Sequence, residues 1–211
     1  PKVLYHNFTH TKFVVDAVIE ISEAEKIDKD NSNILKLGAW FHDVGFVESF
    51  KNHEENSKKI AEKYLLSKDV DISIIKEVKK LIDATKMPQK PTGYLEEVIC
   101  DADLYHIGTK NFLEKSDLLR AEWELLYDKY YTDLEWLKID DKFLANHKYF
   151  TNYAFNKLHK QKTLNWLKIK KDLRKQIIKK EEQDFKTKAK KKDLKRKKNK
   201  EKKGKKRRRE I

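Results

Sequence analysis

Residues 37–45 read Leu-Gly-Ala-Trp-Phe-His-Asp-Val-Gly, and this stretch decides the fold. Its apolar side chains recur at the spacing of one helix face, which predicts a helix over residues 33–44. Gly45 stands where a residue in the left-handed conformation would end that helix. His42 and Asp43 lie at its end and point about 100° apart, so both can reach one ion beyond the helix. A capping aspartate beside a surface histidine is the alternative explanation of this pair.

Helical spacing continues through almost the whole chain, which has only 5 Gly and 3 Pro and no segment typical of a strand. The sequence therefore predicts an all-α fold, a compact bundle with a long charged C-terminal helix or tail. The predicted helices span residues 8–24, 33–44, 53–66, 72–85, 94–107, 110–130 and 133–159. A further helix is predicted from about Thr163, and its apolar residues become sparse after Ile178.

The net positive charge of the chain is confined to its C-terminal end. Of 49 Lys and Arg and 35 Asp and Glu, residues 186–211 hold 17 and 3, which leaves 32 of each in residues 1–185. We therefore predict a folded domain over residues 1–160, a helical extension over 161–185 and a Lys/Arg-rich linker or tail over 186–211. Because the folded part is neutral, nucleic-acid binding would depend on the tail alone and is not the favoured function.

The sequence predicts a reducing environment. The single cysteine, Cys100, cannot form an internal disulfide, and no apolar stretch approaches the ~20 residues of a membrane span. The N-terminus has no apolar leader. We expect a cytoplasmic protein, or one at the inner face of a membrane if the chain is part of a longer protein.

Two further segments place metal-ligand side chains on predicted helices. His6 and His10 are four residues apart at the start of the first helix, so they lie on the same face. Asp103 interrupts the apolar stripe of the fifth helix, where a carboxylate is costly unless it is paired or metal-bound. Asp101 competes with it, but residues two apart on a helix point about 200° apart, so both cannot face one ion. Three helices thus each bring ligand-type side chains toward one point.

The order of these motifs, His, then His-Asp, then Asp, resembles that of the HD superfamily of metal-dependent phosphohydrolases. The matching residues are His10, His42, Asp43 and Asp103. The resemblance covers residues 4–108 and continues more loosely to about residue 159. It implies an HD-type bundle whose four matching residues hold Mn²⁺, Fe²⁺, Mg²⁺, Ni²⁺ or Zn²⁺, and hydrolysis of a nucleotide or other small phosphate ester by metal-activated water. The family pattern favours Asp103 over Asp101.

Two short segments supply candidates for acid–base chemistry. Residues 5–7, Tyr-His-Asn, resemble the opening of the metal-binding motif of class I cyclic-nucleotide phosphodiesterases, which implies that His6 protonates the leaving oxygen. The base-binding pocket of those enzymes is not located in this shorter chain. Residues 52–57, Asn-His-Glu-Glu-Asn-Ser, resemble a segment of bacterial HD hydrolases, which implies that His53 binds a second ion or phosphate, or donates the proton, and that Glu54 positions water. An ordinary first helical turn explains this second segment equally well.

Lys86 and Arg120 are the candidate phosphate-binding residues, since Arg offers two parallel hydrogen bonds and Lys a point charge. With 49 basic residues in the chain, solvated surface is the alternative for either of them. His106, one turn after Asp103, is expected to support that ligand from behind.

The main alternative function is a non-catalytic, nucleotide-sensing module. HD domains resembling this one occur fused, through Lys-rich linkers, to membrane-embedded effector domains of the cyclic-pyrimidine signalling type. The C-terminal helix would then relay occupancy of the site to a membrane-associated partner domain. Its basic residues would contact anionic lipid headgroups, each contributing about 1 kcal/mol.

Overall fold

The computed structural model describes residues 3–207, with the side chains of residues 193, 194 and 196–207 left out. Within those residues the chain forms eight α-helices, two short 3-10 helices and no strand, which confirms the predicted all-α class. The helices are α1 (Phe8–Ala24), α2 (Lys29–Phe41), α3 (His53–Leu66), α4 (Ile72–Ala84), α5 (Tyr94–Asp103), α6 (Phe112–Tyr127), α7 (Asp133–Asn146) and α8 (Asn152–Arg207). The last four residues of the predicted tail lie outside the described residues.

The single helix predicted over residues 133–159 was wrong, because the chain breaks between α7 and α8. The buried Asp101 carboxylate stabilises the break. It accepts hydrogen bonds from the backbone N–H groups of Phe150 (3.0 Å) and Thr151 (2.8 Å) and from the Thr151 hydroxyl (2.8 Å). These bonds replace those that a continuous helix would supply. Asp101 therefore holds the start of α8, a role that its place in the sequence did not reveal.

Gly45 does not end a helix in the left-handed conformation, as the sequence suggested. The helix ends earlier, at Phe41, and Gly45 lies in the 3-10 helix Val44–Val47 without a positive φ. A glycine is needed at this position for a steric reason. A Cβ at this position would overlap the carbonyl oxygen of His53 and lie 2.6 Å from the backbone nitrogen of Ser57. Gly45 thus lets the first turn of α3 approach the end of α2.

The hydrophobic core lies between α1, α2, α4, α5 and the first half of α8. Its fully buried apolar side chains include Val14, Val18, Ile21, Leu35, Ile99, Ile107, Leu144 and Ile169. A smaller cluster between α3 and α4 contains Ala61, Leu65, Ile75, Val78 and Ile82. Each buried Leu or Ile contributes roughly 1.5–3 kcal/mol relative to exposure. This packing brings the start of α1, the end of α2, the start of α3 and the end of α5 to one side of the bundle.

Among the residues whose side chains are described, only those in the first half of α8 pack against the bundle. In this part of the helix Ile169 is the last buried apolar residue, and every residue from Ile177 to Lys192 is exposed. A helix that is polar on all sides has no face to bury. The helix runs through residues 160 and 185 without interruption, so the predicted division of the chain at these two points stays a prediction. No helix in residues 3–207 combines the length and apolar character needed to cross a membrane.

Gly45→Ala is expected to lower the free energy of unfolding by about 3 kcal/mol or more, because backbone atoms of α3 occupy the space of the new methyl group. Gly93→Ala is the matched control. Open space surrounds Gly93, and its φ of −143° suits any residue, so we expect a change within about 0.5 kcal/mol. Urea unfolding measures both values, and equal stability of the two variants would contradict the packing role of Gly45.

Asp101→Ala is expected to destabilise the protein by about 2–4 kcal/mol, because it leaves the buried N–H groups of Phe150 and Thr151 without acceptors. Burial raises the pKa of Asp101 to about 6, so stability is compared above that pH, where the carboxylate is ionised. Asp16→Ala, at an exposed position of α1, is the control and should change stability little. An equally small effect of both substitutions would show that Asp101 does not anchor α8.

Candidate metal centre

Helix ends place the predicted ligands. Asn7 caps α1 by accepting the backbone N–H groups of Thr9 and His10, which fixes His10 in the first turn. His42 and Asp43 directly follow the last residue of α2, and Asp103 is the last residue of α5. At a helix end the backbone turns away, so a side chain can point along the helix axis toward neighbouring helices.

The four side chains converge. His42 Nε2 lies 3.0 Å from Asp43 Oδ2 and 3.7 Å from Asp103 Oδ1, and His10 Nε2 lies 3.5 Å and 3.4 Å from the same two oxygens. The two Nε2 atoms are 3.4 Å apart. Asp101 faces away, toward the start of α8. The structure therefore brings together the four residues predicted from the sequence, with Asp103 rather than Asp101 among them.

This arrangement fits a divalent cation. Ligand atoms at about 2.1 Å from one ion lie about 3.0–3.4 Å from their neighbours in octahedral or tetrahedral geometry, close to the spacing found here. Asp43 Oδ2 is buried and accepts no hydrogen bond, although His42 Nε2 is only 3.0 Å away. Two imidazoles and two carboxylates are also a donor set that first-row divalent metals favour. The ligand atoms of His10, His42 and Asp43 all lie within 4.8 Å of one another, and Asp103 Oδ1 lies within 3.7 Å of both histidine Nε2 atoms.

Hydrogen bonds behind the cluster orient its ligands. His42 Nδ1 lies 2.8 Å from the carbonyl oxygen of Ala39, so Nδ1 donates to that oxygen and Nε2 faces the cluster, where it can bind an ion or a proton. The side-chain amide of Gln89 donates to Asp103 Oδ2 at 3.1 Å, which leaves Oδ1 for the cluster. Burial opposes a charged His42, but the Asp43 carboxylate outweighs it and raises the pKa of His42 to about 9. The cluster thus favours added positive charge.

His53 and Glu54 stand beside the cluster at the start of α3. His53 Nε2 lies 3.5 Å from Asp43 Oδ1 and 3.5 Å from Glu54 Oε1. The Phe46 ring contacts both the His53 and the His6 rings, at centroid distances of 4.1 Å and 4.4 Å. The structure therefore brings His53, Glu54 and His6 to the site, and their catalytic roles stay predictions.

His6 is held by Glu122, a residue that the sequence interpretation missed. The His6 imidazole Nδ1 contacts Glu122 Oε1, and Oε2 accepts the backbone N–H groups of Leu4 and Tyr5, each at 2.8 Å. Burial would lower the pKa of His6, but the hydrogen bond to Glu122 and nearby carboxylates raise it. Glu122 therefore fixes the N-terminal segment and favours the protonated form of His6.

A cavity of about 400 Å³ opens from these residues along α6. Lys86 and Lys115 line it, and neither forms a salt bridge with another described residue. Arg120 lies outside this cavity, where it contacts Glu124 at 3.1 Å and Asp133 at 2.9 Å, and its predicted contact with phosphate stays a prediction. Of the two basic residues predicted to bind phosphate, only Lys86 borders the site. Lys115, which was not predicted, borders it as well.

His106 supports the site from one side. Its Nδ1 lies 3.2 Å from the Tyr5 hydroxyl and 3.4 Å from the backbone carbonyl of Asp103. Burial lowers the pKa of His106 to about 3, so its ring is neutral. The predicted support for Asp103 therefore comes through its backbone, while Gln89 contacts its carboxylate.

One signal in the sequence pointed to Glu122. Phe112, Leu119 and Leu126 recur at helical spacing, and Glu122 falls on the same face of α6. A carboxylate on an apolar face was the argument that identified Asp103. Gln89 lies in a loop and carries no comparable signal.

Residues 7–108 of the chain match the HD domain family. No curated protein and no solved structure matches the chain. The matched segment begins at the residue that caps α1 and ends with the 3-10 helix that follows Asp103, so it contains all four converging residues. An HD domain with such a cluster indicates a metal-dependent phosphohydrolase. The chain therefore contains an HD domain over residues 7–108.

Proposed function

We propose that this protein hydrolyses a small phosphate ester, most simply of a nucleotide, with a divalent cation held by His10, His42, Asp43 and Asp103. The convergence of these four side chains at one end of a cavity carries the proposal. When bound, the cation supplies a water molecule of lowered pKa and neutralises charge on phosphate oxygens.

Two lysines would bind the phosphate group. Lys86 follows α4 and Lys115 belongs to α6, so they reach the cavity from different elements. Since both lack an acidic partner among the described residues, their charges are available to a substrate. Arg120 would contact phosphate only after leaving Glu124 and Asp133.

His6 is the proposed general acid. It lines the cavity, and its raised pKa favours the protonated ring, which can give a proton to the leaving oxygen. His53 lines the same cavity and is the alternative donor, while Glu54 would orient the attacking water.

A second candidate function is a nucleotide sensor without turnover, and the contact of α8 with the site favours it. The Asn165 side chain of α8 donates to the backbone carbonyls of Ile107 (2.9 Å) and Thr109 (2.8 Å), directly after the turn that carries Asp103. The same helix continues to Arg207. A panel of nucleotides with Mn²⁺ separates the two functions, since tight binding without product would favour the sensor.

Asp43→Ala is expected to lose most of the bound metal and more than 100-fold of the hydrolytic activity, because Asp43 contributes an oxygen that contacts both histidines. Elemental analysis measures the metal independently of activity. Asp30→Ala, at an exposed position of α2, is the matched control and should keep both. Wild-type metal content together with wild-type hydrolysis in Asp43→Ala would refute the proposed site.

Glu122→Gln is expected to move the alkaline limb of the activity profile to lower pH. Loss of the carboxylate removes the interaction that raises the pKa of His6, so the proton is lost at lower pH and activity falls with it. Glu114→Gln, at an exposed position of the same helix, should leave the profile unchanged. Profiles of kcat are compared with the same metal in both variants, and an unshifted limb in Glu122→Gln would exclude His6 as the acid.

A further inference from the structure

The cavity extends beyond the metal centre into a part whose walls are apolar and aromatic. There α6 and α7 face each other, and the lining side chains are Leu104, Phe112, Trp136, Ile139 and Phe143. Phe112 and Trp136 are almost fully buried. Flat aromatic side chains in a narrow cavity favour a flat, polarisable group in the substrate.

A carboxylate lies in this apolar part. Asp140 is 7% exposed and lines the cavity, and its Oδ2 accepts the hydroxyl of Ser116 at 2.7 Å. The Ser116 oxygen in turn accepts the indole N–H of Trp136 at 2.8 Å, which directs the Ser116 proton toward Asp140. Among the described residues no other group donates to Asp140, and no Lys or Arg forms a salt bridge with it.

Keeping the Asp140 carboxylate ionised in this apolar part of the cavity costs free energy. Burial raises the pKa of Asp140 to about 6, and the nearby Asp117 acts in the same direction. A link between α6 and α7 does not require the charge, because the amide oxygen of an asparagine would accept the Ser116 hydroxyl equally well. Asp140 also borders a surface cleft that Lys168 lines, without a salt bridge to it. The ionisable group therefore calls for a ligand that donates hydrogen bonds.

We propose that Asp140 determines base specificity by accepting N–H groups from a guanine base, whose phosphate is bound by Lys86 and Lys115 in the same cavity. Guanine presents two adjacent donors, N1–H and the 2-amino group, which match one carboxylate. Adenine and cytosine present a single amino group on that edge, and the N3–H of uracil is flanked by two carbonyl oxygens that a carboxylate would repel. This inference rests on the proposed function, because it names the substrate class of that same site.

The pair guanosine and inosine tests the inference, since inosine lacks only the 2-amino group. Calorimetry on the full chain without added metal is expected to give at least tenfold tighter binding of guanosine than of inosine or uridine, because a hydrogen bond to a charged group contributes about 1.5–3 kcal/mol. Equal binding of guanosine and inosine by the wild-type protein would overturn the proposal, whatever the variants do.

Asp140→Asn is expected to reduce the guanosine preference to less than threefold while keeping the unfolding temperature, since it retains the acceptor for Ser116. Asp117→Asn is the matched control: it makes the same change of charge one residue after Ser116, at an exposed position outside the cavity, and should keep the preference. A full guanosine preference in Asp140→Asn would contradict the role of Asp140.

Hydrolysis of guanosine monophosphate with Mn²⁺ is measured in parallel. A guanosine preference that depends on Asp140, without hydrolysis, would support this inference and refute the proposed reaction. Hydrolysis of phosphate esters without any base preference would refute the inference and leave the reaction standing.

Discussion

Two carboxylates, Asp43 and Asp103, are buried in one small volume with two imidazoles, and this volume must hold positive charge. One oxygen of each carboxylate lies within 3.5 Å of His10 Nε2. Burying one such charge without compensation costs several kcal/mol, and two like charges side by side cost more. A bound cation would offset that cost, and the Asp43 carboxylate accordingly raises the pKa of His42 to about 9. The packing of α1, α2 and α5 brings these four groups together.

Helix ends, rather than helix faces, supply most of the site. His42 and Asp43 follow α2, His53 begins α3, and Asp103 ends α5. A side chain on a helix face is confined to the groove against its neighbour, whereas one at an end can point beyond the axis into space that several helices share. The approach of α3 then depends on Gly45, whose missing Cβ makes room for the backbone of the next helix. A glycine with ordinary φ can therefore be required for function through its size alone.

The four converging residues were predictable from the sequence because the order of their motifs, His, then His-Asp, then Asp, resembles that of the HD superfamily. Asp103 carried a further signal, since a carboxylate on an otherwise apolar stripe is costly unless it is satisfied. Asp103 was separable from Asp101 by helix geometry, which placed them on different faces. The break between α7 and α8 was not predictable, because it depends on bonds from Asp101 to residues about fifty positions away. Gln89 was not predictable for the same reason, since its contact with Asp103 is set by tertiary packing. Glu122 was missed although it lies on an apolar helix face, the same signal that identified Asp103.

The last turn of α5 serves two sites at once. Its Asp103 faces the metal cluster, and its Asp101 faces the backbone N–H groups that begin α8. The two carboxylates belong to one helical turn, so a shift of Asp103 toward an occupant would also move Asp101, which anchors α8. Hydrolysis requires only the contact of Asp103 with the metal cluster. A relay of occupancy along α8 would also require the contact of Asp101 with the start of α8. The geometry that separates the two aspartates thus provides a physical basis for the sensor function without weakening the case for a metal centre.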